Sequence, residues 1–238
     1  IFHCFVLARK NDLIHANWSV NGVIAGIVGF VLRKPVITTF RGSDIERAQS
    51  NRLDRFLLKL CVKISDRLTT VSQSIQAILA EEFPGHKEKI VPIVNGVAQE
   101  FVDIKRNYED HRPVIFATAG SLIPRKAVHI ILQALSLMDS RSDVKIIILG
   151  DGPCMDSLQK LARDLGIYEQ ISFPGEIPHD QMPAYLKKSH AFILSSLLEG
   201  RPNVVLEAMA AGLPIIASNI PGTNELISDG KNGLLFES

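Results

Sequence analysis

Nine short apolar runs, spaced by longer stretches with helical character, constrain this chain more than any other feature. Residues 13–16, 35–39, 68–71 and 89–93 form a first series, and 114–118, 144–149, 171–173, 191–194 and 214–217 form a second. Strand-length runs alternating with helices are the pattern of a parallel sheet whose faces helices cover. The polar stretch 103–112 separates the two series and reads as a linker. Two α/β domains are therefore expected, over residues 1–107 and 108–238. A length of 238 residues at 46% hydrophobic content is enough for a core in each.

Local signals place some of the helices. One covers residues 51–65 and ends before Asp66 and Arg67, Ser72 caps the next, and Pro153 opens another that runs to Gly166. The apolar stretch 20–32 is too short and too interrupted by glycine to span a bilayer, and reads as a buried helix. Lys and Arg total 26 against 25 Asp and Glu, so there is no general attraction for nucleic acid. Cys4, Cys61 and Cys154 are too scattered for a disulfide framework or a metal site. They suit a reducing compartment, and the expected location is cytoplasmic.

In an open parallel sheet, ligands gather beyond the carboxyl ends of the strands. That rule selects four loops in the second series: 120–126, 150–153, 174–178 and 195–200. Lys126 offers a point charge to a diphosphate, and Arg125 offers a planar fork if it turns inward, the alternative being a solvated basic pair. Neither Gly120-Ser121-Leu122 nor Gly150-Asp151-Gly152 is a dinucleotide fingerprint.

The fourth loop leads into the most specific segment. Pro202 fits an early helical position, and Gly212 followed by Leu213 and Pro214 stops the helix. Glu199 and Glu207 bracket its start. Backbone N–H groups at such a helix end can hold phosphate, while carboxylates accept hydrogen bonds from hydroxyls. A phosphorylated sugar carries both kinds of group. Surface acids beside an ordinary cap, with Arg201 pairing one of them, are the plainer alternative.

These residues resemble the retaining glycosyltransferases of family 4, the group 1 glycosyl transferases of the two-domain GT-B fold. The likeness rests on Glu199 and Glu207 with seven residues between them, the run 206–214, and 222–227 leading to 229–235. Residues 12–18, 42–44, 71–72 and 95–97 add to it upstream. The resemblance implies two Rossmann-like parallel-sheet domains facing a cleft, and transfer of a hexose-type sugar, with retention, from a nucleotide-diphosphate sugar to an acceptor hydroxyl in glycan or polysaccharide synthesis.

It further implies that Glu207 holds ribose hydroxyls, that Glu199 contacts the sugar and that Lys126 binds the diphosphate beside Gly120. The backbone of Arg201, Pro202, Asn203 and Val204 would approach the sugar and its phosphate, with Ile177 near the base. Acceptor recognition, of a glycan, lipid-linked or small-molecule partner, would fall to the first domain. Peripheral contact with the inner face of the membrane stays open if the acceptor is lipid-linked. No cofactor or metal is expected, because Asp44 and Glu46, the nearest acidic pair, lie in the first domain.

Two positions depart from the family pattern. Ser121 stands where an arginine is usual, so Arg125 or Arg201 is expected to supply part of that charge. Arg41 stands where a histidine is usual, and either touches the donor or makes an ordinary ion pair. Both ends look truncated relative to the family, so the first domain is expected to be incomplete and the second to lack its final helices. His15 reads equally as an acceptor-site group or a satisfied core histidine, His179 and His190 as cap or packing residues, and Trp18 as a buried aromatic. A noncatalytic nucleotide-sugar-binding module and a nucleotide-sugar epimerase are the competing functions.

Overall fold

The computed structural model describes residues 2–106, 112–139 and 141–237. They divide into two compact units, Ile1–Asn95 with Glu199–Arg201, and Gly96–Leu198 with Pro202–Ser238.

The first unit runs α1 (Phe2–Ala8), β1 (Ile14–Asn17), α2 (Ser19–Leu32), β2 (Val36–Phe40), α3 (Ser43–Ser50), α4 (Arg52–Ile64), β3 (Arg67–Thr70), α5 (Gln73–Glu82) and β4 (Ile90–Pro92). Its four strands are all parallel and lie in chain order. Ser72 caps as expected, and Asn51 adds a cap that the sequence reading did not place. Asn51 accepts from the Leu53 N–H at 2.8 Å to start α4, and Ser72 accepts from the Ile75 N–H at 3.3 Å to start α5.

The stretch 20–32 is a helix, but only one face is buried. Phe30 is 88% exposed while Gly22, Val23, Gly26 and Val28 point inward. Glycines let that inner face sit close to its neighbours. A Cβ on Gly22 would lie 2.4 Å from the Cys61 sulfur, and one on Gly26 would lie 2.5 Å from the Ile64 side chain. Trp18 is not buried either, being 39% exposed with φ of 68° at the turn from β1 into α2.

The second unit runs α6 (Gln99–Val102), β5 (Val114–Ala119), α7 (Val128–Ser136), β6 (Val144–Leu149), α8 (Met155–Asp164), β7 (Ile171–Gly175), α9 (Met182–Lys188), β8 (Ala191–Leu194), α10 (Asn203–Ala210), β9 (Ile215–Ser218), α11 (Pro221–Asn224) and β10 (Leu234–Phe236). The strand order is β10-β9-β8-β5-β6-β7, every pairing being parallel. Numbered from the start of the unit, this is the doubly wound order 3-2-1-4-5-6, and it reverses between β5 and β8. One face buries Ala117, Phe192, Val205, Ala208 and Ile215 beneath α9 and α10, and the other buries Leu132, Ile146, Ile148 and Leu158 beneath α7 and α8.

The expected boundary at 107/108 and residues 107–111 of the linker lie outside the described residues. Packing assigns Gly96–Arg106 to the second unit. Phe101 of α6 is fully buried in that core. Arg106 donates to the carbonyls of Leu186 at 2.5 Å, Ser189 at 2.7 Å and Ala211, which lie at the carboxyl ends of α9 and α10. The Leu186 carbonyl also accepts from the Ser189 N–H at 3.1 Å, and a guanidinium suits the negative helix end.

Candidate functional site

The order reversal between β5 and β8 opens a crevice at their carboxyl ends, lined there by Thr118, Ala119 and Leu194, because the helices after the two strands leave on opposite faces. At this point Gly120 follows β5, and Ser195 and Ser196 follow β8. Lys126 lies across the same pocket, and a Cβ on Gly120 would be 3.6 Å from its ammonium nitrogen. Gly120 has φ of 147°.

The loop carrying Lys126 is fixed from both sides. Ser195 Oγ donates to the Lys126 carbonyl at 2.9 Å, and the Leu197 N–H donates to the Arg125 carbonyl at 2.9 Å. On the other side, the Leu122 N–H donates to the Asp151 carbonyl at 2.8 Å, and the Cys154 N–H donates to Leu122 at 2.9 Å. Gly150 permits this closeness. It has φ of 127°, and a Cβ there would lie 2.0 Å from the Gly120 oxygen. The Gly150-Asp151-Gly152 turn is thus a backbone buttress for the Lys126 loop.

A buried hydroxyl chain extends the support. Ser218 Oγ donates to the Ser196 carbonyl at 2.5 Å, and Thr223 Oγ1 donates to the Ser218 carbonyl at 2.5 Å. Ser196, Ser218 and Thr223 are fully buried, so these bonds meet polar groups that water cannot reach. The run 222–227 therefore contributes Thr223 as a brace behind the β8 loop.

The start of α10 differs from the sequence expectation by one position. Pro202 occupies the N-cap with extended geometry, φ −75° and ψ 104°, and Asn203 is the first helical residue. Proline is tolerated there for the same reason, since its missing N–H removes one of the unpartnered donors. Asn203 is exposed and Val204 half-buried at this positive end. Gly212 ends the helix with φ of 72°.

Glu207 is buried in the second turn of α10, next to the core residues Val205 and Ala208. Its Oε1 lies 3.0 Å from His179 Nε2. His179 opens a short 3-10 helix and packs on Phe101, in keeping with the sequence reading, and in addition meets the Glu207 carboxylate, which that reading did not foresee. His179 lies one residue beyond the loop 174–178 that the carboxyl-end rule selects, so that rule alone did not reach it. Ile177, in that loop, is half-buried against the cluster that includes Val205 and Ala208. Ser121 is exposed and Arg125 half-buried. His190 does have a packing role: its Nδ1 accepts from the Ile115 N–H at 2.8 Å.

Gly120, Lys126, Ile177, Val204 and Glu207 thus belong to the second unit, whereas Glu199 and Arg201, both half-buried, group with the first. Arg41 is exposed immediately after β2 in the first unit. His15 is exposed, not a core residue, and its Nε2 lies 2.7 Å from Thr39 Oγ1. Asp44, in the first turn of α3, is buried. Its Oδ1 accepts from the Gly42 N–H at 3.1 Å, and its Oδ2 has no hydrogen-bond partner. Burial pushes its carboxyl above the ordinary carboxylate range. Among the described residues, no group of three or more His, Cys, Asp or Glu side chains is arranged to hold a metal ion, and no helix is long and apolar enough to cross a membrane.

Comparison with known proteins agrees with this architecture. The glycosyltransferase family 4 model matches residues 5–101, and the model of the glycosyl transferases group 1 family matches residues 100–238. An uncharacterized glycosyltransferase of Methanocaldococcus jannaschii is 28% identical over 227 residues, covering 95% of this chain and 61% of the relative. The UDP-Gal:alpha-D-GlcNAc-diphosphoundecaprenol alpha-1,3-galactosyltransferase of Escherichia coli is 27% identical, covering 96% of this chain and 63% of the relative. The chain therefore spans less than two thirds of the length of these relatives. The crystal structure of Anabaena HepE in complex with UDP superimposes with a TM-score of 0.84 at 22% identity, covering 99% of this chain and 67% of that one. The two Rossmann-like parallel-sheet units are those of the GT-B fold, and the chain belongs to the glycosyl transferases group 1 family.

Proposed function

We propose that this chain carries the donor-binding machinery of a retaining glycosyltransferase, which moves a hexose-type sugar from a nucleotide-diphosphate sugar to an acceptor hydroxyl. The observation that carries the reading is the placement of Lys126 and Gly120 at the β5/β8 switch point, in the unit that also buries the Glu207 carboxylate. A diphosphate there would meet the Lys126 ammonium and the positive end of α10 at Asn203 and Val204. The Glu207 carboxylate would accept from the ribose, with the base towards Ile177. In this scheme Glu199 contacts sugar hydroxyls and the backbone of Arg201 and Pro202 approaches the sugar phosphate.

Negative charge grows on the diphosphate as the anomeric bond breaks. Lys126 and the α10 N-terminus would therefore hold the transition state more tightly than the ground state. The first unit would take the acceptor, a glycan, lipid-linked or small-molecule alcohol, with Arg41 contributing to donor or phosphate contact. Arg125 or Arg201 would replace part of the charge missing at Ser121. Retention would follow from attack on the same face as the departing phosphate, without a sugar ester on Glu199.

The test is calorimetric titration of the chain with UDP, GDP and ADP and their sugar conjugates, beside Lys126→Ala and Glu207→Ala. Selective binding weakened about tenfold or more in both variants is expected, the size of a lost charge-assisted hydrogen bond. Unaltered binding in both variants overturns the donor site. Product NMR that shows inversion at the anomeric carbon overturns retention.

A further inference from the structure

We infer that His179 is a positioning residue that sets the Glu207 carboxylate for a ribose diol, and so makes the site discriminate ribonucleotides from 2′-deoxyribonucleotides. The inference rests on the assignment of Glu207 to ribose binding.

Glu207 is an unusual place for a carboxylate. Its side chain is 11% exposed, on a helix whose neighbouring residues Val205 and Ala208 are fully buried in an apolar core. A buried carboxylate is costly without hydrogen-bond donors. Among the described residues, His179 is its one donor, with Nε2 3.0 Å from Oε1. A carboxylate can only accept, so Nε2 carries the proton of this bond. Oε2 keeps its acceptor capacity.

His179 is itself held in place. Its ring stands 5.5 Å from the Phe101 ring, inclined at 58°, an edge-to-face contact with a fully buried aromatic. The histidine is nevertheless 64% exposed, far more than packing alone requires. The arrangement is therefore layered: Phe101 fixes the imidazole, the imidazole fixes Oε1, and the carboxylate plane is set with Oε2 available. A carboxylate that rotated freely about its last bond would lose part of each hydrogen bond in ordering itself when a ligand arrived. A pre-set one would not, and the gain applies only to ligands that offer a hydroxyl.

That selectivity separates positioning from general support. The experiment measures the affinity of the chain for UDP, GDP and ADP, and for the 2′-deoxy counterpart of whichever binds most tightly. It uses the wild type, His179→Ala, His179→Gln and Glu207→Ala, each first shown to keep the wild-type circular dichroism spectrum. The wild type is expected to prefer the ribonucleotide by about tenfold or more, as one hydrogen bond to a charged group predicts. His179→Ala should cut that preference at least threefold while changing deoxynucleotide affinity less than twofold. His179→Gln, whose amide can donate to Oε1, should recover most of the preference.

Equal weakening of both ligands by His179→Ala would show mere structural support and overturn the inference. So would an unchanged preference in His179→Ala when Glu207→Ala abolishes it. A preference that survives Glu207→Ala would overturn the ribose assignment itself, and the inference with it.

Discussion

Alanine at position 150 would put a methyl group 2.0 Å from the Gly120 carbonyl oxygen, in a backbone conformation with φ of 127°. Comfortable carbon-to-oxygen contact begins at roughly 3.3 Å, so one of the two turns must move by more than about 1 Å. The opposing atom is main chain and cannot swing aside. Strain at such a φ costs about 1–3 kcal/mol, and forcing an extra methyl into a packed site costs about 1–3 kcal/mol more. The sum, about 2–6 kcal/mol, is a large part of ordinary domain stability.

Gly166→Ala is the matched control. Gly166 also has positive φ, 67°, but a Cβ there meets nothing within 4 Å. Only the left-handed penalty applies, about 1–2 kcal/mol. Urea unfolding followed by circular dichroism should show a clearly larger loss of midpoint for Gly150→Ala than for Gly166→Ala, with unchanged slopes. Nucleotide titration of the same proteins should show weaker binding only for Gly150→Ala, because the displaced turn supports the Lys126 loop. Equal destabilisation by the two alanines would refute the backbone-to-backbone buttress, and so would intact binding by Gly150→Ala.

Arg106→Ala should destabilise the second unit by about 1–3 kcal/mol in the same unfolding assay, since it leaves three helix-end carbonyls without their shared donor. Arg106→Lys should recover less than half, because one ammonium cannot reproduce the fork; full recovery would refute the geometry. For Asp44 the sign follows from its raised pKa: the folded state holds the proton more tightly than the unfolded state. Its stabilising contribution is thus fully present below the ordinary carboxylate value of 3.8 and is lost as pH rises through the folded value. Asp44→Asn should therefore flatten the fall in melting temperature on the alkaline side of 3.8, and an unchanged pH profile would contradict the buried, half-partnered carboxyl.

Much of the fold was legible in the sequence because its signals are local. Ser72 announces a helix start through a side chain that reaches its own backbone, and nine apolar runs of strand length between helices require parallel pairing. Helix 20–32 was legible as a helix, but not in its burial. Hydropathy alone does not tell the inner face of Gly22 and Gly26 from the outer face of Phe30.

The candidate site was legible to a similar depth. Lys126, Glu207 and the α10 start are found from residue type, spacing and the carboxyl-end rule. His179 and Phe101 are not. The histidine meets a carboxylate 28 residues away, and the phenylalanine comes from before β5, so no window of sequence contains all three. Arg106 is likewise invisible as an anchor, because its carbonyl partners lie 80 to 105 residues further along.

The sequence by itself determined nine of the ten strands among the described residues, missing β10, and which residues carry charge or fix a turn, since those properties depend on neighbours within a few positions. Only the tertiary structure decided the order β10-β9-β8-β5-β6-β7, and with it the meeting of the β5 and β8 loops around Lys126. Strand order is set by how helices cover both faces of one twisted sheet. That packing is optimised over the whole unit at once, so no segment encodes it alone.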